Sequence, residues 1–246
     1  MKFVWIPINM IQIVLIILWT TVCGILGMLL MLITWNGIWV HKVNCLYLFS
    51  PMIRLISGVR VKAHGLKKID RNRAFIYVAN HESHLDIVAL ASVMPVGLFY
   101  IAKKELAKVP IMGQYIRFIG HIFIDRKDKE KSMQSMRLAA SKIKAGKNVI
   151  SFPEGTRSKT GEVQIFKRGS FVIAKEGGIP IVPIAISGSR KLLASGSFAL
   201  RPGTIDVFIG DEISPNKFPN MRTEELAEMA RQQIISMLSA TDKKRL

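Results

Sequence analysis

Residues 74–93 read AFIYVANHESHLDIVALASV. The first six, 74–79, are a short apolar run of the kind that forms a buried strand. Residues 86–93 carry a helical pattern that stops near Pro95, because proline cannot continue a helix. Between the two lies a polar turn, Asn80 to Asp86. A strand that runs through a polar turn into a helix is the repeating unit of an α/β sheet.

The same alternation continues on the C-terminal side. Residues 98–102, 121–124, 148–152, 181–186 and 204–209 read as strands. Helical spacing is visible over 112–119, over 129–145 with Met133, Met136, Ala140 and Ile143 on one face, over 171–176, and over the closing amphipathic stretch 223–238. Gly120, Gly146 and Gly177-Gly178 supply the helix stops. No internal repeat interrupts the pattern. The expected fold is α/β: a mixed, mostly parallel sheet flanked by helices, with an N-terminal membrane-associated helical segment.

That segment follows from the distribution of charge. Half of the 246 residues are hydrophobic, yet residues 3–40 contain no Asp, Glu, Lys or Arg. One membrane span needs about 20 apolar residues. This stretch is longer than one span and short for two with a turn. A hairpin broken at Gly24 and Gly27 and dipping into one leaflet fits, as does a single tilted helix entering from the interface. A cleavable signal peptide does not fit, for want of a small-x-small site. The division drawn is residues 1–45 as the anchoring segment and 46–246 as the domain built on the sheet.

The net charge of +18, from 35 basic and 17 acidic residues, lies almost wholly beyond Lys42. Such an excess favours an anionic partner. Nucleic acid and anionic lipid headgroups both qualify, and the apolar segment selects a membrane surface over nucleic acid. Basic residues beside a membrane segment are each attracted by about 1 kcal/mol to an acidic leaflet. The positive-inside tendency puts the domain on the cytoplasmic face of the inner membrane. Cys23 and Cys45 form neither a disulfide framework nor a zinc spacing, so a reducing compartment is the default.

In sheets of this class the site gathers at the carboxyl ends of the strands. Four expected strands end in polar residues: Asn80-His81, Lys103-Lys104, Asp125-Arg126 and Glu154-Gly155-Thr156-Arg157. A neutral imidazole is the best general base near neutral pH, and a carboxylate that fixes its tautomer improves it. His81 and Asp86 are the candidates. Ser83 is placed to cap the next helix, with Asp86 three residues on, as in a capping box. Two other readings remain at this point. Ser83 and Asp86 can serve only as a cap, with His81 a loop residue. Alternatively, His81, His84 and Asp86 can ligate a metal, although their spacing is not the His-Glu-x-x-His of zinc helices. In the fourth turn, Gly155 permits close approach of an anion, Thr156 adds a hydroxyl, Arg157 offers a planar fork for phosphate, and Glu154 is placed to orient Arg157 or hold a hydroxyl. The apolar stretch 181–188 reads as core.

Four ordered motifs now stand together: Asn-His-x-x-x-x-Asp at 80–86, Gly-x-x-Phe-Ile-Asp-Arg at 120–126, Phe-Pro-Glu-Gly-Thr-Arg-Ser at 152–158, and an apolar Val-Pro-Ile stretch at 181–188. Over residues 50–210 the chain resembles the 1-acylglycerol-3-phosphate acyltransferases of the glycerolipid acyltransferase family. The resemblance implies acyl transfer from acyl-CoA or acyl carrier protein, as co-substrate, to a lysophospholipid hydroxyl, with no metal and no cofactor. It implies that His81 takes the hydroxyl proton and Asp86 supports it. Asn80, Arg126, Glu154, Gly155, Thr156 and Arg157 would bind the acceptor and its phosphate, and Lys103 the phosphate or the developing oxyanion. Another acceptor, glycerol-3-phosphate or a lyso-aminolipid, fits the same motifs, as does a lipid-binding protein without turnover.

Overall fold

Seven apolar runs pair into one sheet. They are β1 (Val59–His64), β2 (Ile76–Ala79), β3 (Leu98–Lys103), β4 (Ile122–Ile124), β5 (Asn148–Ser151), β6 (Ile181–Ser187) and β7 (Gly203–Ile209). The computed structural model of the chain describes residues 5–125 and 127–243, without the side chains of 129 and 241–243. Strand order is β1-β7-β6-β2-β5-β3-β4, and every neighbouring pair is parallel except β6 with β7. The β1–β7 pair therefore runs opposite to the other five. The carboxyl ends of β6, β2, β5, β3 and β4 line one edge of the sheet. The expected mixed, mostly parallel sheet is present.

The helices are α1 (Trp5–Thr34), α2 (Gly37–Val43), α3 (Ser50–Ser57), α4 (Leu85–Val93), α5 (Met112–Ile119), α6 (Lys129–Lys144), α7 (Gly169–Gly177), α8 (Ser189–Leu192) and α9 (Thr223–Lys243). Central strand β2 is buried on both faces, as a parallel strand covered by helices must be. Tyr77 and Ala79 pack toward Leu90 of α4, whereas Ile76 and Val78 pack in the cluster that holds Phe171 of α7 and Ala230 of α9. Strand β1 was not among the expected strands. Its Val-Arg-Val-Lys-Ala-His alternates because only one face is covered at the sheet edge.

Helix α1 runs unbroken through Gly24 and Gly27, so the described structure takes the single helix and not the hairpin. The glycines serve close approach instead. A Cβ on Gly27 would lie 2.4 Å from the Tyr115 ring and 2.5 Å from the Asn44 amide, and one on Gly24 would lie 3.1 Å from Ile111. Ile111 sits at φ +62°, a strained γ-turn conformation for a β-branched residue, held where α5 begins under α1. Polar groups complete the clamp. Asn9 donates to the Leu200 carbonyl at 2.8 Å, Trp19 to Leu48 at 3.0 Å, and Asn44 to Cys23 at 2.7 Å. The outer side of α1 stays exposed, including Ile11, Ile17, Leu18, Leu29 and Ile33. The helix is long and apolar enough to cross a membrane.

Candidate active site

His81 stands two residues beyond the end of β2, after Asn80, and Asp86 stands in the first turn of α4. The turn between them folds back so that His81 Nδ1 meets Asp86 Oδ2 at 2.7 Å. The same oxygen accepts the Glu82 and Ser83 backbone N–H groups at 2.8 and 2.9 Å. Asp86 is fully buried, and its other oxygen has no hydrogen-bond partner among the described residues. A buried carboxylate on Nδ1–H fixes the tautomer that leaves Nε2 as the acceptor. No partner for Nε2 is present among the described residues, and the imidazole is 16% exposed.

The capping box forms in part. Asp86 reaches back to the Ser83 amide as expected, but the Ser83 hydroxyl caps the Leu85 amide at 3.2 Å and donates to the Leu193 carbonyl at 2.7 Å. Ser83 thus ties the turn to the segment after α8 as well as starting α4.

The turn that follows the neighbouring strand β5 fixes the backbone at His81. Its N–H donates to Glu154 Oε1 at 2.7 Å, and its carbonyl accepts the Ser158 N–H at 2.7 Å. The imidazole lies flat on the Phe152 ring, centroids 4.1 Å apart. Glu154 Oε2 accepts the Gln164 N–H at 3.1 Å. Both Glu154 oxygens are therefore used within the protein, and no Glu154–Arg157 ion pair exists among the described residues. Burial raises the Glu154 pKa, against the two amide bonds that lower it. The expected orienting of Arg157 by Glu154 gives way to a staple between two loops.

Other expected ligands separate into inward and open groups. The Asn80 side chain donates to the Ile186 carbonyl at 2.9 Å and accepts the Ile186 N–H at 2.8 Å, which pins the end of β2 to β6. Gly155 adopts φ +76° and donates its N–H to Phe152, so this amide closes a turn. Thr156 is exposed. Arg157 is half-buried, has no acidic partner among the described residues, and lies near enough to His84 to lower its pKa, after burial, which is the larger cause. Lys103, two strands away at the end of β3, lies 3.4 Å from Glu105. Lys104 pairs with Asp125 after β4. Arg126 lies outside the described residues.

Two neighbours were not read from the sequence. Lys167 lies across the bare face of Gly155, its Nζ 2.6 Å from where a Cβ would stand, and places an ammonium beside the Arg157 turn. Glu82 is buried behind the dyad, and burial, then Asp86 and Glu154, push its carboxyl up to about 7. A loop lysine and a glutamate in a turn carry no signal of their own. Among the described residues no group of three or more His, Cys, Asp or Glu side chains is arranged to hold a metal.

Beside His84 and Leu85, between α1, α4 and β3, an apolar cavity of about 480 Å³ opens; Ile16, Cys23, Ile53, Val88 and Tyr115 line its walls. The site therefore brings together the His81–Asp86 pair, Arg157 and Lys167 in the next turn, and an apolar chamber beside His84.

The sequence pattern of the Acyltransferase family matches residues 60–187. A 1-acyl-sn-glycerol-3-phosphate acyltransferase of Saccharomyces cerevisiae is 33% identical over 193 residues, 77% of this chain and 63% of that protein. One from Limnanthes douglasii is 30% identical over 198 residues, 80% of this chain and 70% of that protein. The chain thus spans less than two thirds of the yeast relative. The crystal structure of the 1-acyl-sn-glycerophosphate acyltransferase PlsC from Thermotoga maritima superposes with a TM-score of 0.84 at 26% identity, covering 98% of this chain and 97% of that one. The matched span runs from β1 to the end of β6 and holds both His81 and Asp86, and on that match the chain belongs to the Acyltransferase family.

Proposed function

We propose that this chain transfers a fatty acyl group from a thioester, acyl-CoA or acyl carrier protein, to the free hydroxyl of a 1-acylglycerol-3-phosphate, giving phosphatidate for phospholipid synthesis. The observation that carries the reading is the 2.7 Å bond between His81 Nδ1 and a buried Asp86, which leaves Nε2 as the acceptor nitrogen. The names of the relatives supply the acceptor, and Arg157 supplies a fork suited to its phosphate.

In this reading Nε2 takes the hydroxyl proton as the oxygen attacks the thioester carbon. Asp86 holds the imidazolium that forms. The tetrahedral intermediate expels the thiolate, which recovers the proton from His81. A thiolate leaves readily, so no acyl-enzyme is required; positioning and base catalysis suffice. Arg157, Lys167 and Lys103 bring positive charge to the acceptor phosphate or the oxyanion, and Thr156 adds a donor. By its motif, Arg126 also binds the acceptor phosphate. Asn80, Glu154 and Gly155 act by holding the loops. The apolar cavity accommodates an acyl chain. Residues 1–45 hold the catalytic part, 46–246, at the cytoplasmic face of the inner membrane, where the basic surface meets anionic headgroups.

The test is an acyl-transfer assay over a panel of acceptors with both donor types. Phosphatidate formed from lysophosphatidate at a higher kcat/KM than product from glycerol-3-phosphate or a lyso-aminolipid supports the reading. A preference for another acceptor overturns the acceptor assignment, and absence of all transfer overturns the reaction.

A further inference from the structure

Strands β1 and β7 expose one face that no helix covers fully. Even-numbered residues point there, with Lys62 opposite Asp206 and His64 opposite Phe208 in the parallel register. Helix α9 borders this face through Met237 and Ala240, and α8 borders it through Lys191, leaving a trough of about 980 Å³. The trough is separate from the apolar cavity and from the Arg157 turn.

Its chemistry is specific. The His64 ring stacks flat on Phe208, with centroids 4.5 Å apart and planes 11° apart, and His64 Nε2 meets Asp206 at 2.9 Å. Lys62 and Lys191 are exposed, line the trough, and have no acidic partner among the described residues; Lys68 is paired with Asp211 at 2.7 Å. A flat aromatic face takes a base by stacking. Unpaired ammonium groups take phosphates. Concave sites of about 300–1,000 Å³ are of small-ligand size.

Its place matters as much. The trough begins at Gly188, directly after β6. Ala79 at the end of β2 lies opposite Ile184 of β6, and the next β6 residue, Ala185, lies opposite Phe208 of β7, so two strand spacings, about 10 Å, separate Phe208 from the end of β2 that precedes His81. Helix α8 is the shared wall. The Arg190 backbone lies near enough to Glu82, behind the dyad, to lower its pKa against the larger effect of burial, and its guanidinium donates to the Lys159 carbonyl at 2.8 and 3.1 Å, while the next residue, Lys191, lines the trough.

We infer that this trough binds the nucleoside phosphate handle of a thioester donor, with Lys62 and Lys191 on its phosphates and the His64–Phe208 pair under its base. The inference rests on the thioester-transfer reading above. The acceptor phosphate and the donor phosphates then occupy different parts of the molecule, on opposite sides of His81 along the sheet edge.

The experiment uses the full chain in detergent micelles. Adenosine 3′,5′-bisphosphate is titrated calorimetrically into the wild type, the double variant Lys62→Glu/Lys191→Glu, and Ala240→Trp, which fills the trough from α9. Steady-state constants for acyl-CoA and lysophosphatidate are measured on the same proteins. The expected result is bisphosphate binding by the wild type and a loss of about tenfold or more in the variants, a change of about 1.4 kcal/mol. The KM for acyl-CoA rises in parallel, with kcat and the acceptor KM unchanged. Active variants with an unchanged acyl-CoA KM overturn the trough and leave the transfer reading standing. A wild type that turns over no thioester overturns the transfer reading itself. Turnover with acyl carrier protein alone, and no bisphosphate binding, overturns the nucleotide in favour of a protein donor.

Discussion

Arg157 is half-buried and has no acidic partner among the described residues. Its replacement should therefore be felt by the ligand and not by the fold. Arg157→Ala is expected to raise the KM for lysophosphatidate by about 10- to 150-fold, the worth of a charge-assisted hydrogen bond of about 1.5–3 kcal/mol, with the thermal midpoint unchanged. Arg157→Lys keeps charge without the fork and should recover only part of the loss. A change confined to the donor constant would move Arg157 to the thioester side. Glu82 gives the opposite kind of prediction. Its folded pKa of about 7 lies above its ordinary value of 4.5. Its protonated form therefore favours the fold, a contribution complete below the ordinary value and lost as pH rises through about 7. Glu82→Gln should flatten the decline of stability between about pH 5 and pH 8; thermal unfolding across that range would show it, and an unaltered slope would contradict it. At this scale the sequence made His81 and Asp86 legible because they are five residues apart in one turn. The Glu154 contact with the His81 amide spans 73 residues and depends on β5 lying beside β2, which no local pattern reveals.

Among the elements, α5 matches its expected bounds and the central strands lie within a residue or two of theirs, because each is a single apolar run closed by glycine, proline or a polar turn. Helix α1 shows where pattern reading stops. Glycine in a long apolar stretch signals either a break or a close contact, and only the partner surface, here Tyr115 and Asn44, decides. Gly27→Leu should thus push α1 off α5. Overpacking of this kind costs about 1–3 kcal/mol, and the apolar cavity beside it should lose its shape. Lower thermal stability together with lower turnover on long-chain donors is the expected outcome; a variant of wild-type stability would show that the glycine is not a packing contact.

The whole molecule joins a long uncharged helix to a domain of high positive charge. Membrane attachment through the helix and through the charge would differ in response to salt, because apolar burial is not screened, whereas the Debye length falls to about 3 Å at 1 M. The wild type should stay with the membrane pellet through a 1 M salt wash. Leu18→Glu/Leu29→Glu, which charges the outer side of α1, should be released by the same wash and retained without it. Retention of the variant in high salt would place the anchor on another surface. The charge pattern marked the uncharged run that becomes α1, but not how closely α1 is built into the wall of the apolar cavity. The most direct test of the central claim is the rate of phosphatidate formation from lysophosphatidate and an acyl thioester by purified wild type and His81→Ala, at matched folded fraction. His81→Ala is expected to lose about 10²–10⁴-fold or more, the worth of a general base. Near wild-type turnover by His81→Ala would contradict it.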